Sequence, residues 1–245
     1  MRRFPAEFSD LLSPRGLRIL NRNSRGDSAL FKDSEAYFAN FTNLIKPDAV
    51  DDCIRLMDHR LYPTLSVEQR KIPPESITRM KINYEERLNK TMHIKTAFLR
   101  RKDGRSYRAA EEIGLLQMMR SESFRKFAEA VTGFRLEPEW GVQVSCYGPG
   151  DYAGPHNDHH PENGVLKHGF IDLHVTFANH AVAHQYLVYA EGGHFSKIVS
   201  INTRGGVSVY QLPFWHYTTP LAAKRGREAE ARRWLLLGTF QIEDD

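Results

Sequence analysis

Cysteine is scarce in this chain, with two residues, Cys53 and Cys146, in 245. One falls in a helix-like segment and the other in a strand-like one, which makes no disulfide framework and points to a reducing compartment. Long hydrophobic runs are missing too. Although 41% of residues are hydrophobic, no stretch approaches the ~18 apolar residues of a membrane span, so no membrane partner is expected. The basic start Met1-Arg2-Arg3 runs into Glu7 and Asp10, which interrupt any signal-peptide core, and the expected location is cytoplasmic. A coherent basic face is also lacking. The net charge is +4, but Arg2-Arg3, Arg100-Arg101-Lys102, Lys224-Arg225-Gly226-Arg227 and Arg232-Arg233 are scattered, whereas a nucleic-acid footprint is a patch. Nucleic acid is therefore a disfavoured partner. No internal repeat or low-complexity tract is evident, and the length suits one large domain.

The hydrophobic period changes along the chain. Residues 1–34 are polar, basic and broken by Pro5, Pro14, Gly16 and Gly26, and read as an N-terminal arm with one short helix. Residues 35–135 read as a helical half. Phe38, Phe41 and Ile45 stand at helical spacing, and Pro47-Asp48 opens a helix with Val50, Cys53, Ile54 and Met57 on one face. Residues 62–92 form a polar excursion of unassigned role. A strand over 93–100, a turn at Asp103-Gly104 and a helix over 107–119 follow. A further helix is capped by Ser121 or Ser123 and stopped by Gly133. Residues 136–245 switch to period two. Val142, Val144 and Cys146 alternate with polar residues, as do Ile171, Leu173, Val175 and Phe177, and more strands are expected at 185–190, 197–202, 207–212 and 233–242. Short strands parted by Gly192-Gly193, Gly205-Gly206 and Pro213 suggest an antiparallel double-sheet barrel with helices packed on one sheet: a mainly β, α+β fold.

Chemistry concentrates in that half, where nine of the eleven histidines lie. After Cys146-Tyr147-Gly148-Pro149-Gly150-Asp151-Tyr152, an extended segment delivers His156-Asn157-Asp158. In an extended chain residues i and i+2 project to one side, so His156 and Asp158 can reach one metal. Pro155 and Pro161 disfavour a helical His156/His160 pair. His216, at a strand end before Thr218-Thr219-Pro220, supplies a third ligand. Two imidazoles and one carboxylate on one face of an octahedral Fe(II) leave three open positions, enough for a chelating co-substrate and dioxygen. His159, His160, His168, His174, His180, His184 and His194 read as ordinary polar positions.

From Lys46 to Ile242 the chain resembles the 2-oxoglutarate-dependent Fe(II) oxygenases, specifically their prolyl 4-hydroxylase-like branch. The resemblance begins at residues 44–50, continues through Ser123-Phe124-Arg125-Lys126-Phe127, and sharpens at 142–152 and His156-Asn157-Asp158. Glu191-Gly192-Gly193 occupies the place of the family's Gly-Gly turn, and His216 and Arg233 follow in order. It implies a double-stranded β-helix (jelly-roll) barrel and iron at His156, Asp158 and His216, with no further catalytic residue. It also implies 2-oxoglutarate held by Arg233 and dioxygen as oxidant, and it admits ascorbate. Residues 162–169 and the longer, basic 218–232 stretch depart from the branch.

The arginine has its own physical account. 2-Oxoglutarate chelates through its 1-carboxylate and 2-keto oxygens, leaving its far carboxylate to a fixed cation, and a guanidinium offers a planar fork. Strand parity puts Leu235, Leu237 and Thr239 on the Arg233 side and Arg232 opposite, with Lys197 or Lys224 as alternative anchors. Tyr147 is a candidate second donor to the co-substrate. The expected activity is hydroxylation of a small-molecule or amino-acid-type substrate. A peptide or protein side-chain hydroxylase is the runner-up. A nucleic-acid demethylase is disfavoured because Arg233-Trp234-Leu235 lacks the Asn of the dealkylase strand motif, and halogenation because related halogenases replace the carboxylate that Asp158 provides. A non-catalytic metal-binding barrel is the remaining alternative.

Overall fold

The computed structural model describes residues 2–22, 30–31, 37–71, 91–158 and 169–243. Thirteen strands are defined among them. They are β1 (Phe38–Phe41), β2 (Ser66–Arg70), β3 (Met92–Phe98), β4 (Leu136–Tyr147), β5 (Tyr152–Ala153), β6 (Phe170–Ala178) and β7 (Val182–His184), followed by β8 (Tyr186–Glu191), β9 (His194–Ser200), β10 (Arg204–Leu212), β11 (His216–Thr218), β12 (Ala222–Ala223) and β13 (Arg233–Ile242). The helices are α1 (Pro14–Leu20), α2 (Pro47–Arg60), α3 (Arg105–Glu112), α4 (Leu115–Met119) and α5 (Glu122–Thr132).

All pairing is antiparallel. A large sheet runs β1-β10-β6-β13-β4-β3-β2, with β5 also on β3; a second sheet runs β11-β8-β9, and β12 pairs with β7. Period-two alternation splits the large sheet into two unlike faces. Val142, Val144, Leu173, Val175, Val207, Val209, Trp234, Leu236 and Phe240 join residues of α2 to α5 in one apolar core. The other face, carrying Thr96, Gln143, Ser145, Asp172, His174, Thr176, Ser208 and Thr239, lines a cavity of about 600 Å³. Polar positions of these strands therefore face an interior chamber. Two smaller apolar clusters flank it: Phe38, Leu187, Tyr189, Tyr210, Leu212 and Phe214 in one, and Met92, Ile94, Tyr147, Leu221, Ala231 and Leu235 in the other. This is the double-stranded β-helix that the resemblance implies, with helices on one sheet.

Local signals explain most elements. Pro47 stands at the first turn of α2, which buries Val50, Cys53, Ile54 and Met57, and Gly133, with φ +76°, ends α5 in the left-handed conformation. Ser121 precedes α5 without capping it through its side chain; its Oγ donates to the Met118 carbonyl at 2.7 Å and accepts the Phe8 N–H at 3.1 Å. Gly238 on β13 lies against α5, where a Cβ would meet the Phe124 ring at 2.6 Å.

Three readings change. Phe38 to Phe41 is a strand paired with β10 instead of a helix; aromatics three apart share a face only in a helix, and in the strand they part to opposite faces, Phe38 buried and Phe41 half-buried. The expected 107–119 helix is two, broken at Gly114 with φ +77°. The segment read as an arm contributes Phe4, Phe8, Leu11 and Leu12 to the main core, with the Phe8 ring edge-on to Phe124 and Phe127. Of the 62–92 excursion, residues 72–90 lie outside the described residues, and 66–70 form the edge strand β2. No described helix is long and apolar enough to cross a membrane.

Candidate metal and co-substrate site

The Gly148-Pro149-Gly150 turn after β4 is closed by Asp151. Its carboxylate accepts the Gly148 N–H at 2.7 Å and pairs with His93 Nδ1 at 2.5 Å, while Gly150 takes φ +81°. The returning chain then meets β11. His156 and His216 face each other as an antiparallel bridge, exchanging backbone N–H···O bonds of 3.0 and 2.9 Å. Directly opposed residues of such a bridge send their side chains to the same side, and the imidazole centroids lie 4.2 Å apart. Each ring is set by the carbonyl two residues before it: Nδ1 of His156 donates to Gly154 O at 2.5 Å, and Nδ1 of His216 to Phe214 O at 2.7 Å. A carbonyl can only accept, so each Nδ1 holds a proton and Nε2 is the nitrogen left to ligate a metal.

Both Nε2 atoms point at Asp158, 3.1 Å from Oδ1 for His156 and 3.6 Å from Oδ2 for His216. The three ligand atoms lie within 4.8 Å of one another. Donors cis to one another at ~2.1 Å from one ion sit about 3 Å apart, so this set fits a single divalent metal. Asp158 has φ +55°, a left-handed conformation that Asp tolerates better than most residues but that still costs energy.

Behind the carboxylate, the Tyr210 hydroxyl lies 3.5 Å from Asp158 Oδ2 and 3.0 Å from His174 Nε2. Burial, then the nearby carboxylate of Asp158, push the Tyr210 phenol well above its ordinary range, so it keeps its proton and donates to Asp158. Sequence reasoning passed over both residues: Tyr210 lies unmarked within the strand expected over 207–212, and His174 reads as one of several ordinary polar histidines.

Arg233 opens β13, opposite Tyr147 of β4. It is 1% exposed, its guanidinium carbon stands 4.2 Å over the Tyr147 ring, and its Nε donates to Gln185 Oε1 at 2.6 Å. Burial lowers its pKa, with Tyr147 opposing, but an arginine remains cationic at neutral pH. Nη2 is buried without a hydrogen-bond partner, and no ion pair engages Arg233 among the described residues. A buried cation with an unmatched donor is costly unless an anion arrives. A carboxylate meets that need, so the residues present fit 2-oxoglutarate as well as the metal.

Arg233, Leu235, Leu237 and Thr239 line the cavity together with Tyr147 and the triad. Arg232 points the other way, its guanidinium 4.5 Å over Tyr62 and donating to the Ala229 and Ala231 carbonyls. Lys197 is paired with Glu191 at 2.7 Å on β9, and neither it nor the exposed Lys224 lines the cavity. The 218–232 stretch packs Leu221 and Ala231 beside Tyr147 and Leu235, closing the Arg233 end. His180, His184 and His194 are exposed; His159, His160, His168 and most of 162–169 lie outside the described residues. Both cysteines are buried, and burial raises both thiols, Cys53 to about 12, which leaves them protonated and unreactive at neutral pH.

On the wall facing the triad, Thr96 Oγ1 donates to Val144 O at 2.9 Å and accepts from Gln143 Nε2 at 2.9 Å. Its one proton is thus spent, so Ser145 Oγ, also at 2.9 Å, is the donor in that pair. What this ladder offers the cavity is largely acceptor: the Gln143 amide oxygen and the Ser145 lone pairs.

No family model matches the chain, and no curated protein is similar to it in sequence. Solved structures share its fold at low identity. A prolyl hydroxylase from Trichoplax adhaerens, in complex with a hypoxia inducible factor peptide fragment, superposes with TM-score 0.55 at 12% identity over 92% of this chain and 90% of that one. The non-heme α-ketoglutarate-dependent epimerase SnoN from nogalamycin biosynthesis gives 0.54 at 10% over 93% and 81%. The non-heme monooxygenase ThoJ, as a nickel complex, gives 0.52 at 12% over 87% and 77%. The chain thus has the fold of the 2-oxoglutarate/Fe(II) oxygenases, a scaffold whose members differ in reaction outcome.

Proposed function

We propose that this protein is a 2-oxoglutarate-dependent Fe(II) dioxygenase that hydroxylates an unactivated C–H bond of a small-molecule or amino-acid-type substrate. The observation that carries the reading is one cavity holding both a convergent His156/Asp158/His216 set and the buried, anion-seeking Arg233. Iron and 2-oxoglutarate, when bound, would supply oxygen activation at the cost of oxidative decarboxylation to succinate and carbon dioxide. The chain's own work is positional. The two imidazoles and the Asp158 carboxylate hold the metal on one side, the Tyr210 hydroxyl steadies that carboxylate, and Arg233 over Tyr147 receives the far carboxylate. The apolar cluster around Leu221, Ala231 and Leu235 excludes water there.

A chamber of about 600 Å³ is of small-molecule size. Its Gln143/Thr96/Ser145 ladder favours a substrate with hydroxyl or amine donors. A peptide substrate is the second reading, favoured by β2: among the described residues this is an edge strand, largely exposed, and its Glu68 and Arg70 line the cavity, so an extended peptide could pair along it. Succinate release by iron-loaded protein, measured against free amino acids, polar metabolites, peptides and oligonucleotides, tests the choice. Stimulation by amino acids or small polar compounds supports the first reading, stimulation by peptides alone supports the second, and stimulation by oligonucleotides alone rejects both.

A further inference from the structure

We infer that Gln185 is a positioning residue that sets co-substrate specificity: by holding Arg233 through a neutral acceptor, it keeps the guanidinium's charge available for a distal carboxylate. The inference rests on the assignment of Arg233 as the carboxylate anchor. Gln185 sits between β7 and β8 and is fully buried. Its Nε2 donates to the Asp151 carbonyl at 3.2 Å and the Thr219 carbonyl at 2.9 Å. Those two acceptors fix the amide's orientation, because the reversed amide would set an oxygen against two oxygens. Oε1 is thereby aimed at Arg233, where it accepts the Nε–H at 2.6 Å.

Two consequences follow. The guanidinium is pinned in plane and azimuth, by the Tyr147 ring below it and the amide at its Nε edge, so that Nη2 is left as the unmatched donor. The pinning also leaves the cation un-neutralised. A glutamate at 185 would place a carboxylate against Nε, satisfy the charge internally, and set that carboxylate against the Asp151 and Thr219 carbonyls. The loop carbonyls thus select a side chain that both donates and accepts, and glutamine does so without charge. Sequence reasoning could not find it, because a glutamine opening the strand expected over 185–190 carries no chemical signal until the fold brings it against Arg233, 48 residues later in the chain.

The test compares two ligands that differ at one end. Protein loaded with redox-inert Zn(II) is titrated calorimetrically with 2-oxoglutarate and with 2-oxopentanoate, which lacks the distal carboxylate. Gln185→Glu should lower affinity for 2-oxoglutarate by about tenfold or more while sparing 2-oxopentanoate, shrinking the preference. Gln185→Met keeps length and neutrality but removes the acceptor, and should shrink the preference by a smaller factor; it decides the matter if Gln185→Glu fails to fold. Zn(II) affinity should stay at the wild-type value in both. Wild-type preference in the folded Gln185 variants, alongside its loss in Arg233→Ala, overturns this inference alone. Unchanged preference in Arg233→Ala overturns the anchor assignment itself.

Discussion

Arg233→Ala against Arg232→Ala is the sharpest separation the fold offers, because Arg233, the first residue of β13, and Arg232, the residue before the strand, point to opposite sides. Arg233 is 1% exposed, stacked on Tyr147, with Nε spent on Gln185 and Nη2 unmatched. A carboxylate reaching it would gain charge-assisted hydrogen bonds in a site shielded from water. Removing one partner of such a buried pair costs about 2–5 kcal/mol, or roughly 30- to 4,000-fold in affinity. Calorimetric or competition titration of 2-oxoglutarate into metal-loaded protein should therefore show weakening of that size for Arg233→Ala, with metal affinity retained. Arg232 instead lies over Tyr62 and ties down the Ala229 and Ala231 carbonyls, so Arg232→Ala should lower thermal stability and leave 2-oxoglutarate affinity at the wild-type value. The reverse ranking would mean that β13 is out of register by one, and loss from neither would remove Arg233 from the site.

Three further outcomes follow from particular contacts. Asp158→Gly should abolish tight metal binding while leaving the metal-free protein as stable as wild type or about 1 kcal/mol more so, because glycine adopts φ +55° without strain; calorimetric melting of the apo forms checks it. Burial raises the Asp58 carboxyl's pKa despite the Trp234 Nε1 hydrogen bond of 2.8 Å, so ionisation opposes folding above the unfolded carboxyl pKa; Asp58→Asn should raise Tm at pH 7, the gain shrinking as pH falls through the carboxylate range and wild-type Asp58 protonates. Gly238→Ala should destabilise by about 1–3 kcal/mol in urea denaturation, since its Cβ would meet the Phe124 ring at 2.6 Å.

The parts of the site legible in sequence are those whose geometry is local. His156 and Asp158 share a side because an extended chain repeats every two residues, and Arg233 parts from Arg232 for the same reason. His216 was reachable by its strand-end context, but what makes it converge, the reciprocal backbone bridge with His156, is a tertiary fact. Tyr210, His174 and Gln185 were hidden for a different reason. Period-two patterning distinguishes the two faces of a strand but cannot say whether the polar face meets solvent or an enclosed chamber, so His174 on β6 looked like surface. The helix expected around Phe38 failed because a four-residue edge strand is too short to display its period, and its pairing with β10, about 170 residues later in the chain, decides its conformation.

The Fe(II)/2-oxoglutarate assignment is decided by succinate formed from 2-oxoglutarate under air by protein reconstituted anaerobically with Fe(II), with bound iron counted per chain. One Fe(II) per chain and slow, substrate-independent succinate formation in the wild type, both lost in a folded His156→Ala/His216→Ala variant, is the expected result. Full-strength iron binding in that double variant, or no succinate above free iron from wild-type protein that holds one Fe(II), would contradict it.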